Sequence, residues 1–279
     1  MRQQPIDRTG ACSGARKTGG MTNRLILLHG FTQRGAIWDV VLGDVRQRLT
    51  GEWEIITPDL PGHGDAPIME DETFWRTAEE LAQHHGPAHW VGYSLGGRIL
   101  LHIAIAHPEA VKSMTLVGAK AGFEDRDEAR KRIEADEKIA VQLDAMEGKE
   151  ELRNWLEGKW LAMPMFNGLQ PTNDESDRRQ VDVRLANDPH RLATSLRCHG
   201  SGVQEYLVPK LKDVQTPTTV LWAENDTDPI ISDGKVLADV LPNAYGNEVP
   251  LVGHSIPWEA PDLFADFVAR TVARATERR

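Results

Sequence analysis

Cysteine is scarce in this chain, with two residues, Cys12 and Cys198, among 279. Two thiols make no disulfide framework and fit a reducing compartment, so a cytoplasmic location is expected. No apolar run approaches the ~20 residues that span a bilayer, so no membrane partner is expected. Basic residues are outnumbered, 32 Lys and Arg against 42 Asp and Glu, for a net charge of −10. That balance excludes nucleic acid or an anionic membrane surface as a general partner. A small anionic substrate would need a local cationic pocket working against the field of the whole molecule. The ten histidines show no His-Glu-x-x-His or similar ligand spacing, so neither metal nor cofactor is expected. Nothing separates a monomer from a homodimer.

What the chain does have is 40% hydrophobic residues over a length that suits one large α/β domain with an insertion, or at most two small domains. Residues 1–21 stand apart. Arg2, Arg8, Arg16 and Lys17 lie among Gln, Ser, Thr and Gly with no apolar stretch. This is no secretory signal, and its lack of apolar surface predicts disorder. Translation starting at Met21 would make it an artefact, and a targeting role is the alternative.

The chain is organised around Val91-Gly92-Tyr93-Ser94-Leu95-Gly96-Gly97-Arg98. The apolar run His89-Trp90-Val91 precedes it and Ile99-Leu100-Leu101 follows, which reads as strand, sharp turn and buried helix. Gly-x-Ser-x-Gly in that setting is a nucleophile elbow. It pushes a serine hydroxyl out of the sheet beside a helix N-terminus that favours developing negative charge. The bland reading is an ordinary glycine-containing turn.

Continuous apolar runs predict central parallel strands at 24–28, 53–58, 89–93, 111–117 and 218–223, with a weaker one at 247–250. Helical spacing is found at 36–49, 73–84, 95–107, 234–241 and 259–274. Strand-helix alternation predicts an α/β, mostly parallel, doubly wound sheet. Between 122 and 210 strand signal disappears and charged helices are expected at 124–146, 149–160 and 174–188. That stretch reads as a helical cap inserted between core segments 22–121 and 211–279.

A serine hydroxyl needs an imidazole to take its proton and a carboxylate to orient that imidazole. On this architecture the chain order should be Ser, acid, His, each after a strand. Ser94, Asp226 in Ala223-Glu224-Asn225-Asp226, and His254 in Val252-Gly253-His254-Ser255 supply it. Asp228 is a rival acid and Glu224 a weaker one. His29 and His63 read as loop-shaping residues. An oxyanion hole is expected from the backbone N–H groups of Leu95 and Phe31, Phe31 being also a candidate core aromatic.

These features amount to the α/β-hydrolase fold. His29-Gly30-Phe31, Asp59-Leu60-Pro61-Gly62-His63-Gly64 and Gly92-Tyr93-Ser94-Leu95-Gly96-Gly97-Arg98 together resemble a narrower family, the SHCHC synthases of menaquinone (vitamin K2) biosynthesis. Ser195-Leu196-Arg197-Cys198-His199-Gly200-Ser201-Gly202-Val203-Gln204 is similar to a cap pattern of that family, with Cys198 in place of glycine. The resemblance spans roughly residues 24–274. It implies substrate-binding roles for Tyr93, Arg98, Arg132, Trp160, Arg184 and Arg197. It also implies a lyase that expels pyruvate from a carboxylate-rich cyclohexene, with no cofactor. A guanidinium binds carboxylate bidentately and stays charged. Arg98 is the most telling, because a cation in the first turn of a helix opposes the macrodipole. The bland alternatives are an Arg98 reaching solvent, Arg132 and Arg184 on solvated helix faces, and Trp160 as cap core. A serine hydrolase of an ester or carbon–carbon bond would use the same triad, and a non-catalytic binding module is the third class.

Overall fold

The computed structural model describes residues 23–169 and 175–277. The leader and Cys12 lie outside them. Strand β1 (Asn23–Leu28) buries Leu25 to Leu28 completely, but on two sides. Leu25 and Leu27 join one apolar cluster and Ile26 and Leu28 the other. A period of two delivers side chains to both faces, which is why the run is apolar without alternation.

Helix α1 (Leu42–Arg48) follows a 3-10 segment, Gly35–Val40, where one continuous helix was expected. The Gly35 N–H donates to Asp59 Oδ1 at 2.6 Å, seating that first turn against the loop after β2 (Trp53–Ile56). Helix α2 (Phe74–His85) begins at Thr73, whose Oγ1 accepts from the Arg76 N–H at 3.2 Å. β3 (Ala88–Tyr93) is wholly buried and runs into α3 (Leu95–Ala106), then β4 (Val111–Val117). With β5 (Thr218–Ala223) and β6 (Ala244–Val249) they form one sheet in the order β2-β1-β3-β4-β5-β6, every pair parallel.

Between β4 and β5 the described residues contain helices and no strand. They are α4 (Arg126–Asp144), α5 (Lys149–Trp155) running into a π turn (Leu156–Trp160), a 3-10 segment (Pro164–Leu169), α6 (Glu175–Arg184), α7 (Pro189–His199) and the short α8 (Val208–Leu211). The expected helix at 174–188 ends at Arg184, and α7 was not anticipated. Asp188 caps α7, its Oδ1 accepting from the Arg191 N–H at 3.0 Å, and Pro189 opens it. These helices share their own apolar cluster, including Leu143, Trp155, Trp160 and Phe166.

Helix α9 (Asp228–Val240) starts earlier than its expected beginning at Gly234, with Pro229 in the first turn. The chain closes with a short α10 (Ile256–Glu259), which was not expected, and α11 (Pro261–Glu277), which occupies the helix expected at 259–274. No helix among the described residues is long and apolar enough to cross a membrane.

Candidate active site

In a parallel sheet the loops leaving the C-terminal strand ends converge on one edge. Here they carry His29 to Arg34 after β1, Ser94 after β3, Gly118 to Lys120 after β4, Asp226 after β5 and His254 after β6. Ser94 sits at φ 51°, ψ −108°, a region that costs a non-glycine residue about 1–3 kcal/mol. The surroundings hold it there. Its N–H donates to Val117 O at 2.8 Å, its carbonyl accepts from the Arg98 N–H at 3.1 Å, and the Gly96 N–H donates to His29 O at 3.0 Å. A Cβ on Gly96 would lie 2.3 Å from Leu28 O, so the helix can approach β1 this closely only with glycine there.

His254 Nδ1 lies 2.6 Å from Asp226 Oδ2, and both side chains are only 1% exposed. The other carboxylate oxygen accepts from the Thr227 N–H at 2.7 Å. A carboxylate only accepts, so Nδ1 carries the proton and Nε2 presents its lone pair. Nε2 is buried without a partner. Ser94 and His254 line the same cavity, of about 470 Å³. Asp228 opens α9 and Glu224 Oε2 accepts from the Leu251 N–H at 2.8 Å, so neither competes for His254.

The flanking amides of both expected oxyanion donors are engaged. Gly30 N–H donates to Gln33 Oε1 at 2.9 Å and Thr32 N–H to His63 Nε2 at 3.2 Å, while the Ser94 and Gly96 amides are spent as above. The N–H groups of Phe31 and Leu95 find no acceptor among the described residues. His29 accepts from the Leu60 N–H at 2.9 Å and donates to Gly30 O at 2.8 Å. Burial lowers His29 to a pKa of about 4 and His63 to about 3, so both work as neutral ties between loops.

Four cations line the cavity: Arg98, Lys120, Arg132 and Arg184. Arg98 is partly buried, folded back against the protein. Its Nη1 donates to His199 O at 2.7 Å, its guanidinium lies 5.3 Å from the Phe74 ring centre, and burial lowers its pKa to about 9. Arg184 is 1% exposed. It donates to Gln180 O and Oε1 at 2.6 and 2.8 Å and to Thr32 Oγ1 at 3.2 Å, and burial lowers it to about 10. Neither makes an ion pair among the described residues. Arg132 is paired with Asp136 at 2.8 Å and Lys120 with Asp233 at 3.3 Å. Burial raises both aspartates' pKa values and lowers that of Lys120. A pocket lined by two guanidinium groups outside any ion pair among the described residues, Arg184 buried and Arg98 partly so, is suited to receive negative charge.

Tyr93 and Trp160 also line the cavity, Trp160 stacked on Trp155 at 5.5 Å and edge-on to Phe31 at 5.2 Å. Burial pushes the Tyr93 phenol up, keeping it neutral. Arg197 is the exception among the expected binding residues. Its guanidinium pairs with Glu137 at 2.8 Å and Asp144 at 2.7 Å on the α4 side of α7, and it lines a separate pocket with Glu70 and Cys198. The turn of α7 that presents Leu196 to the main cavity points Arg197 away from it. Gln33, Lys120, Asp136, Asp233, Met165 and Phe166 line the cavity without having been anticipated. Lys120 could have been found, since it follows β4 by the rule that located Ser94 and Asp226.

Comparison with known proteins agrees with this fold. An Enterobacter sp. (strain 638) 2-succinyl-6-hydroxy-2,4-cyclohexadiene-1-carboxylate synthase is 28% identical over 251 residues, covering 88% of this chain and 90% of that protein. A pimeloyl-[acyl-carrier protein] methyl ester esterase of Chromobacterium violaceum is 29% identical over 240 residues, covering 86% and 90%. Among solved structures, MenH from S. aureus superposes with a TM-score of 0.80 at 25% identity, covering 92% of this chain and 96% of that one. The alpha/beta hydrolase family model matches residues 25–267, and the chain belongs to that family.

Proposed function

We propose that this protein is a carbon–oxygen lyase that releases pyruvate from 2-succinyl-5-enolpyruvyl-6-hydroxy-3-cyclohexene-1-carboxylate. The product would be 2-succinyl-6-hydroxy-2,4-cyclohexadiene-1-carboxylate. The observation that supports this reading is the pair of guanidinium groups, Arg184 buried and Arg98 partly so, that make no ion pair among the described residues in the cavity that Ser94 and His254 share. A substrate with several carboxylates compensates them, and a neutral ester does not. The synthase relatives support the same chemistry.

In this mechanism Ser94, its proton drawn to His254 Nε2, removes a ring proton. Asp226 holds the imidazole and stabilises its cationic form. The electron pair moves toward the succinyl carbonyl, whose oxygen takes the Phe31 and Leu95 N–H groups. The new double bond forms as the ring C–O bond breaks, and the departing enolpyruvate collects a proton to become pyruvate. Residues 122–210 act as a cap, bringing Arg132, Trp160 and Arg184 over the reacting ring. No acyl-enzyme forms.

Pyruvate formation on adding the purified substrate tests this directly, followed by coupled reduction to lactate. Release no faster than the uncatalysed background removes the lyase reading. The second reading is a serine hydrolase, favoured by the esterase relative. A burst of alcohol from a carboxylic ester, with no turnover of the cyclohexene, selects it.

A further inference from the structure

Thr32 is β-branched yet sits at φ 67°, a backbone region such residues almost never occupy. Three side chains from two segments hold it there. His63 Nε2 accepts its N–H at 3.2 Å, Asn187 Nδ2 donates to its carbonyl at 2.6 Å, and Arg184 Nε donates to its Oγ1 at 3.2 Å. Strain kept by that many ties collects at working sites. The next residue is Gln33, 1% exposed and part of the cavity wall.

The amide of Gln33 has a determined orientation. Its Oε1 accepts from the Gly30 N–H at 2.9 Å, so the oxygen end is committed and the NH2 end is the other one. That Nε2 is buried and has no acceptor. Arg184, tied to the same loop through Thr32, spends Nε and Nη1 on protein oxygens. Its Nη2 has no partner among the described residues. A buried amide donor and a buried guanidinium donor thus stand on one wall, joined through one strained residue and both lacking an acceptor. A group with two acceptor oxygens satisfies them together, which a single hydroxyl or an alkyl chain cannot do.

We infer that Gln33 is a substrate-binding residue whose Nε2, with Arg184, seats a carboxylate of the ligand beside the Phe31 amide. The assignment rests on reading this cavity as an anion site and adds a neutral donor to its charged set. It makes the position after Thr32 a specificity determinant, since a side chain without an N–H there leaves the carboxylate to the arginine alone.

The test compares wild type with Gln33→Met and Gln33→Glu, using succinate as the probe in isothermal titration at pH 8. Gln33→Glu keeps an oxygen for the Gly30 N–H and replaces the NH2 by a second acceptor. Unchanged circular dichroism and melting temperature certify the fold. Loss of one donor should weaken succinate binding about tenfold in Gln33→Met, and the added charge should abolish measurable binding in Gln33→Glu. Equal binding by all three proteins, or no binding by wild type, overturns the assignment. Pyruvate release is assayed in parallel. A wild type that binds succinate with this ranking but expels no pyruvate loses the lyase reading and keeps Gln33 as an anion-binding residue.

Discussion

The backbone N–H of His254 donates to the carbonyl of Met165, 3.1 Å away. Met165 belongs to the helical stretch between β4 and β5, His254 to the loop after β6. The adjacent Phe166 ring meets the imidazole edge-on at 6.0 Å. Glu259 accepts from the N–H groups on either side, Gly253 at 2.8 Å and Ser255 at 3.1 Å. The imidazole is thus positioned jointly by the sheet domain and the helices above it. Phe166→Ala should lower kcat about tenfold through a looser imidazole, while KM changes less, since placement errors near 1 Å are costly in rate. Steady-state kinetics separates the two, and a pure KM effect would refute the coupling.

Asp226 holds Nδ1 of His254 in its donor state. Asp226→Asn offers the ring an amide that can present N–H instead, favouring the wrong tautomer. The proposed triad role predicts a loss of about 10⁴ in kcat with the fold intact. Turnover above a tenth of wild type would mean that the ring is oriented by something else.

Gly118 lies at φ +56°, and a Cβ there would come within 2.6 Å of His254 Cε1. Gly118→Ala therefore strains the backbone and displaces the imidazole from Ser94. Activity should fall at least about a hundredfold, with a destabilisation of about 1–3 kcal/mol. Chemical denaturation and kcat measured together check both halves.

Arg184 is a buried charge with polar but no acidic partners. Removing it should relieve desolvation while giving up three hydrogen bonds and its anion-binding role. Arg184→Met should leave the melting temperature within about 2 °C of wild type or raise it, at the expense of function. The apparent affinity for an anionic substrate should drop at least a hundredfold. A strongly lowered melting temperature would show that the guanidinium is chiefly structural.

Four histidines are held neutral by burial: His29 and His102 at about 4, His63 and His199 at about 3. In the unfolded chain they take up protons near pH 6.5. The unfolded state therefore binds more protons as pH falls below that value. The stability these groups provide is complete above about pH 6.5 and is lost as pH falls from there toward 4 and then 3. Urea unfolding at pH 7.5 and pH 5 should differ by several kcal/mol, of order 1 kcal/mol per histidine. Equal midpoints would contradict the burial of these rings.

The core of the fold was legible along the chain because its central strands are short, largely buried and punctuated. Leu25 to Leu28, Val111 to Val117 and Thr218 to Ala223 carry their assignment in their own side chains. Ser94 was equally legible, since an elbow needs glycine at fixed offsets, and the chain order of Asp226 and His254 followed from the architecture. Helices between β4 and β5 were harder. Their charged faces hide the period, so α7 escaped notice although Asp188 and Pro189 announce its start.

Local sequence thus determined which groups could do chemistry, because strand, elbow and acid-base order are properties of neighbouring residues. Tertiary structure decided which cations face that chemistry. Arg184 and Arg197 both stand near the C-terminal ends of helices in the same stretch, yet one is sealed beside Thr32 and the other pairs with Glu137 in solvent. That difference is set by how helices pack across the sheet edge, a long-range relation that no spacing along the chain encodes.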